Sequence, residues 1–239
     1  MLGISSAATI TAKQYLAAVL KGTDHTSGRI FNFLKENLVI QQVLLYGNTF
    51  LNGLLNQLLH QIAFRLLQTE RLFLVPANLP MLEAIADQDW ASLSAQLGGV
   101  DMADHWLHFP EAMIWMRDFL REHQADINWW NYLIIHRTDV RLIGTCGYKG
   151  TPSLAGEVEI GYEIAEDYQG NGLATEAARA LVANAFAHEA VKIIMAHTLA
   201  EKNASNTLLQ KIGFQFIAEH IDIEDGKIWE WRLERTPSV

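Results

Sequence analysis

The run Tyr168-Gln169-Gly170-Asn171-Gly172-Leu173-Ala174-Thr175-Glu176-Ala177 sits between an alternating segment and an amphipathic one. Glycines at such a junction let the chain turn tightly and aim several N–H groups at one point, beside the positive end of a helix dipole. That makes a receptacle for phosphate. Two familiar phosphate signatures do not fit. The dinucleotide fingerprint wants a third glycine where Thr175 stands and a ribose-binding acid near Lys192, and the Gly-Lys-Ser/Thr of the NTPase loop occurs nowhere. Ahead of the loop, Glu157, Glu159 and Glu163 alternate with Val158, Ile160, Tyr162 and Ile164, which puts three carboxylates on one face of a strand. A plain loop-to-helix turn and solvated strand charges are the structural readings of the same residues. His105 and His108 lack a carboxylate or cysteine at ligand spacing, so no metal is expected. Cys146, inside a strand pattern, is expected to pack rather than react.

The elements around these residues follow from periodicity and punctuation. Residues 71–75 alternate as a short strand that stops at Pro76, and residues 80–86 open as a helix with Pro80 in its first turn. Met113, Ile114, Met116, Phe119 and Leu120 are spaced for a helix over 111–123. Residues 132–136 and 141–148 read as a hairpin turned at 137–140, and 157–165 as a half-buried strand. A helix over 174–188, a strand over 192–198 and a short helix over 204–212 ended by Gly213 follow. A closing hairpin pairs 215–221 with 227–233 through Asp225-Gly226. The order implies an α+β fold with an antiparallel majority.

Composition sets the frame. The chain has 239 residues, half of them hydrophobic, and a single cysteine, which excludes a disulfide scaffold and a cysteine-rich zinc site. Its net charge of −9 argues against a nucleic-acid surface over the whole molecule. The charge is uneven. Residues 1–65 hold five basic and two acidic residues, a balance of +3, whereas the remainder holds 13 basic and 25 acidic ones, a balance of −12. Residues 1–66 therefore read as an extension, expected to be helical from about residue 38, where Leu51, Leu55, Leu58 and Ile62 form one stripe. Asn48, Asn52, Asn56, Gln57, His60 and Gln61 interrupt it too often for a membrane span of about 18 apolar residues. A dispensable extension and a helix touching a membrane surface or a partner are both open readings of residues 38–67. The first residues lack the charged leader and long apolar run of a signal peptide, which points to the cytoplasm.

The loop resembles the acyl-CoA pyrophosphate motif of the GNAT N-acetyltransferase superfamily, Gln/Arg-x-x-Gly-x-Gly/Ala, with Gln169, Gly172 and Ala174 on its positions. Glu159-Ile160-Gly161-Tyr162-Glu163-Ile164 before the loop is similar to the superfamily too. So are Asn203-Ala204-Ser205-Asn206 and Lys211-Ile212-Gly213-Phe214 after it. The opening Thr69-Glu70-Arg71-Leu72 and the run from Leu142 to Gly150 look like the branch containing ribosomal-protein N-terminal acetyltransferases. The resemblance covers about residues 69–235 and implies a GNAT acyl-CoA N-acyltransferase domain over 67–236: a mixed, mostly antiparallel twisted sheet flanked by helices. It implies acetyl-CoA as co-substrate, no metal, and direct transfer to a primary amine, either a protein N-terminus or a small molecule, by a monomer or homodimer that binds no nucleic acid.

Residue by residue, the resemblance implies that Gln169, Gly170, Asn171, Gly172, Leu173, Ala174 and Thr175 hold the diphosphate. It also implies that the backbone of Ile160, Tyr162 and Ile164 pairs with the pantetheine arm, and that Asn203 and Asn206 lie along it. A carboxylate is the natural base for an ammonium, and Glu159 is favoured because it directly precedes the Gly161-Tyr162 part of the motif. An α-amino group ordinarily titrates near 7.7 to 8.0, so a weak base would serve. The proton for the leaving thiolate is a departure. Many members place a tyrosine on the helix after the fifth strand, but no tyrosine follows Tyr168, which leaves Ser205 as the hydroxyl. Trp106, His108, Phe109, Trp129, Trp130 and Trp229 are candidates for the acceptor cleft. The alternative reading is a CoA-binding regulatory or interaction module that performs no transfer.

Overall fold

Strand alternation and helix caps build most of the observed architecture. The computed structural model describes residues 66–122, 129–223 and 225–236. The helix expected from about residue 38 lies outside the described residues. In chain order the elements are β1 (Leu67–Gln68), β2 (Leu72–Pro76), α1 (Leu79–Ala86), α2 (Trp90–Gln96), β3 (Asp101–Met102), α3 (Pro110–Glu122), β4 (Asn131–His136), β5 (Arg141–Tyr148) and β6 (Glu157–Ile164). A 3-10 turn (Glu166–Tyr168) leads to α4 (Leu173–Phe186), β7 (Ile193–Leu199), α5 (Ala204–Ile212), β8 (Gln215–Asp222) and β9 (Gly226–Glu234).

Eight strands form one open sheet in the order β1-β2-β4-β5-β6-β7-β9-β8, and β3 adds to β5. Neighbours are antiparallel except β3 with β5 and β6 with β7. The α+β expectation therefore holds. Three elements go beyond the sequence reading: the two-residue strands β1 and β3, and α2, seven residues capped by Asp89. Pro76 does not stop β2 but ends it as a paired residue opposite Tyr132. β1 pairs with β2 only as far as Leu74, so at Pro76 the strand is an edge, where a proline's missing N–H is tolerated.

The core is centred on β2, β4 and β5, where Leu72, Leu74, Leu133, Ile134, Ile135, Leu142 and Ile143 are fully buried. Each such side chain contributes about 1.5–3 kcal/mol. α4 packs Ala177, Ala178, Leu181 and Ala185 onto it, the small residues letting the helix approach closely. Gly144 on β5 is required by a similar closeness, since a Cβ there would meet the Glu163 carbonyl oxygen of β6. Cys146 is buried in β5, and burial pushes its thiol far up, out of the range of a nucleophile.

Candidate active site

The sheet opens at one place. β6 and β7 pair only through Glu157 with Ile193, Val158 with Ile194, and Glu159 with Met195, whereas β6 continues to Ile164 and β7 to Leu199. Beyond Glu159 the two strands are joined by no pairing and leave a wedge. On its other side β6 stays bonded to β5, as Lys149 N to Glu159 O (2.9 Å) and Ala165 N to Ile143 O (2.7 Å) show. Alternation along an antiparallel strand then turns the N–H and C=O groups of Ile160, Tyr162 and Ile164 toward the wedge. One of them is engaged, because Gln169 Nε2 donates to Ile164 O at 2.8 Å.

The loop lies across the end of the wedge. Gly170 and Gly172 have φ of 74° and 77°, left-handed values that glycine reaches without cost. Gly172 is the residue before α4, and no side chain caps that end, so Leu173, Ala174 and Thr175 begin the helix with their N–H groups available to a ligand. Asn171 stiffens the turn by donating from Nδ2 to Gln169 O at 3.1 Å. Arg71 braces it from outside: Nη1 donates to Asn171 O (2.9 Å) and Nε to Glu176 Oε2 (2.7 Å). Beside this brace is a cavity of about 480 Å³ whose lining balances Arg71 and Arg141 against Asp139 and Asp167. An uncapped helix end and free strand amides suit a phosphorylated ligand with an extended amide arm.

The wedge has two chemically distinct faces. Glu157, Glu159 and Glu163 point to one side of β6, and the structure gives each a different neighbour. Glu163 accepts from His108 N (2.7 Å) and Thr145 Oγ1 (3.0 Å), so it anchors the loop before α3. Glu157 faces Arg232 at 3.4 Å. Glu159, at the point where the strands part, meets the Lys149 ammonium and, at 3.0 Å, His197 Nδ1 on β7. Lys149, just past β5, and His197, on β7, come from different parts of the chain, and their convergence on Glu159 is not visible in the sequence.

On the opposite face stand Ser205, in the first turn of α5, and the side chain of Tyr162. Burial pushes the Tyr162 phenol up to about 12, and the neighbouring Ser205 hydroxyl offsets part of that rise. Tyr162 Oη is buried without a formed hydrogen bond. Tyr162, singled out in the sequence for its backbone, thus brings to Ser205 a phenol from the facing strand. Asn203 caps α5 by accepting from Asn206 N at 2.9 Å. The Asn206 side chain is buried and committed inward, accepting from Thr198 Oγ1 and donating to Glu201 O, so its part is to fix the loop that carries Ser205.

Of the aromatic candidates for the acceptor cleft, Trp106, Trp129 and Trp130 are buried in the core, which removes most of their surface from any ligand. Phe109 is 58% exposed, next to the His108 that Glu163 anchors. A shallow cavity of about 320 Å³ lined by Asp104, His105, Glu166 and Asp167 follows the end of β6. Among the described residues no group of histidine, cysteine and carboxylate side chains could hold a metal ion, and no helix is long and apolar enough to cross a membrane.

A family model described as an acetyltransferase (GNAT) domain matches residues 71–215. Among curated proteins, the chain is 28% identical over 151 residues to YjdG of Bacillus subtilis, an uncharacterised N-acetyltransferase, covering 62% of this chain and 89% of that protein. It is 29% identical over 160 residues to YoaA of the same organism, also an uncharacterised N-acetyltransferase, covering 64% and 84%. Among solved structures, a GNAT-family acetyltransferase from Bacillus anthracis superposes with a TM-score of 0.50 at 19% identity, covering 71% of this chain and 98% of that one. RimL, a ribosomal L7/L12 alpha-N-protein acetyltransferase in complex with coenzyme A, gives 0.51 at 16% identity, covering 71% and 97%. These structural likenesses concern the fold.

Proposed function

Because the chain belongs to the GNAT acetyltransferase family and is an N-acetyltransferase, we propose that residues 67–236 are its catalytic unit and that acetyl-CoA lies in the wedge between β6 and β7. The single observation that carries this reading is the parting of β6 from β7 after Glu159, directly beside the uncapped start of α4.

In this reading the diphosphate rests on the loop from Gln169 through Gly170, Asn171, Gly172 and Leu173 to Ala174 and Thr175. The pantetheine arm pairs with the backbone of Ile160, Tyr162 and Ile164, with Asn203 alongside. The acceptor amine enters on the face of Glu159, whose carboxylate draws its proton away. Amide donors of β6 polarise the thioester carbonyl, and the amine nitrogen attacks its carbon. As the C–S bond breaks, Ser205 meets the sulfur and passes it the proton that the attacking nitrogen gives up. Transfer is direct, since the only described thiol, Cys146, is buried and held protonated.

The acceptor is a primary amine, of a protein N-terminus or of a small molecule. The carboxylates of Asp104, Glu166 and Asp167 around the neighbouring cavity favour a cationic group there. We assign the enzyme to the cytoplasm. The test is CoA release with acetyl-CoA and a panel of peptides and small amines. Acetylation of at least one primary amine, with one CoA freed per acetyl group, is expected; no release from any of them contradicts the reading.

A further inference from the structure

Glu159 does not act alone on its face of the sheet. Cross-strand partners share a face, so Glu159, Met195 and, two residues on, His197 lie on the same side. The register carries that side onward to Arg232 and Glu230 of β9, and His220 of β8 joins it by bonding Glu230. Among the described residues, the charged and titratable groups around His197 are these. Lys149 follows β5, Glu157 and Glu159 lie on β6, Glu230 and Arg232 on β9, and His220 on β8, its ring 6.4 Å from that of His197.

Within this set two carboxylates are already engaged. Glu230 takes Arg232 Nε on one oxygen and His220 Nε2 on the other, while Glu157 faces Arg232. Glu159 Oε1 lies against the Lys149 ammonium and, at 3.0 Å, His197 Nδ1, buried and without a formed hydrogen bond. An imidazole whose Nδ1 faces a carboxylate carries its proton there, and the lone pair is left on Nε2. That is the arrangement of a base oriented by a third group. His197 stands just past the last β6–β7 pair, where the wedge begins, and its side chain is 24% exposed.

We propose that His197 is the general base of the transfer, its Nε2 taking the proton of the acceptor ammonium while Glu159 holds its Nδ1. The proposal rests on the transfer reading above and assigns the base to a different atom. The balance is complete. One ammonium proton passes to Nε2, and the amine then forms the N–C bond. The second proton leaves the nitrogen as the C–S electron pair returns to sulfur, and it reaches the thiolate by way of Ser205. The imidazolium, stabilised by Glu159, returns its proton to solvent on the side of the more exposed His220. Imidazole suits the task, being the side-chain type whose charge changes between about pH 5 and 8.

Two measurements on the full chain test this. Nitrogen-15 NMR of the histidine rings, with the His197 signals assigned by comparison with His197→Gln, reads the tautomer without any turnover. A neutral ring protonated on Nδ1 is expected, and one protonated mainly on Nε2 overturns the proposal. The second is the pH profile of kcat/KM for acetylation. His197→Gln is expected to lose about 100-fold or more and with it the acid limb. Glu159→Gln is expected to lower kcat/KM about 100-fold as well, since the ring loses the carboxylate that orients it. A His197→Gln enzyme with wild-type kcat/KM and an unchanged acid limb overturns the proposal and leaves the transfer reading standing. A wild-type protein that releases no CoA with any primary amine contradicts the transfer reading itself, and the tautomer still decides whether Glu159 and His197 form the pair.

Discussion

Arg71 and Glu176 form a clasp across 105 residues of chain: Arg71 Nε donates to Glu176 Oε2 at 2.7 Å, and Arg71 N to Glu176 Oε1 at 2.8 Å. Thr69 Oγ1 adds a third bond to the same carboxylate at 2.6 Å. The residues just before β2 thereby hold the first turn of α4, and through Asn171 O the loop itself. Arg71→Ala and Glu176→Gln should each raise KM for acetyl-CoA about tenfold, equivalent to about 1.4 kcal/mol, with little change in kcat. Steady-state kinetics at saturating acceptor checks this; a fall in kcat at constant KM would place the clasp in the chemical step instead.

The same clasp shapes acid stability. Burial alone would raise Glu176, but the bonds from Thr69 and Arg71 outweigh it and hold the carboxyl below the usual glutamate value of 4.5. Glu230 is lowered as well, chiefly by Arg232, with His220 adding to it. A carboxyl depressed in the folded state contributes stability above its unfolded value and loses it as pH falls through the folded one. Urea melts between about pH 6 and pH 3 should therefore show stability declining from about pH 4.5 downward. The slope should be shallower for Glu176→Gln, and an identical slope would remove the clasp from the account.

Gly172→Ala separates backbone conformation from crowding. A Cβ there would come no nearer than 3.7 Å to Arg71 Nη2, an ordinary contact, so the penalty is that of φ 77°. A left-handed L-residue costs about 1–2 kcal/mol. Thermal melts should register that loss in stability, whereas Gly170→Ala, in open space with a similar φ, reports on the loop without touching α4.

Asn206→Ala should show itself in stability and only secondarily in binding. Its side chain links Thr198, Glu201 and, through Thr198, the indole of Trp231. Removing a buried partner of this kind costs about 1–3 kcal/mol. Thermal melts should register that loss. A normal melting temperature with a large rise in KM for acetyl-CoA would mean that Asn206 faces the ligand.

How far the sequence reaches depends on whether a feature is local. α5 appears over the expected residues because Asn203 at its start and Gly213 at its end, the latter with φ 103°, each suit one helix terminus. β6 is legible from its alternation, and the loop from its glycines. β1 and β3 are two-residue pairings whose existence depends on β2 and β5. The three glutamates of β6 look alike in the sequence. Only strand order and register show that Glu163 anchors His108, that Glu157 faces Arg232, and that Glu159 meets His197 where the strands part. The Tyr162 phenol escapes notice for a related reason: its neighbour Ser205 is 43 positions away on α5.

The most direct test of the central claim compares binding with turnover in Glu159→Gln, an isosteric change at the mouth of the wedge. Acetyl-CoA affinity by calorimetry should stay within about twofold of wild type. The single-turnover rate of acetyl transfer to an accepted amine should fall about 100-fold or more. A variant that binds acetyl-CoA normally and transfers at the wild-type rate would contradict the placement of the chemistry at this face of β6.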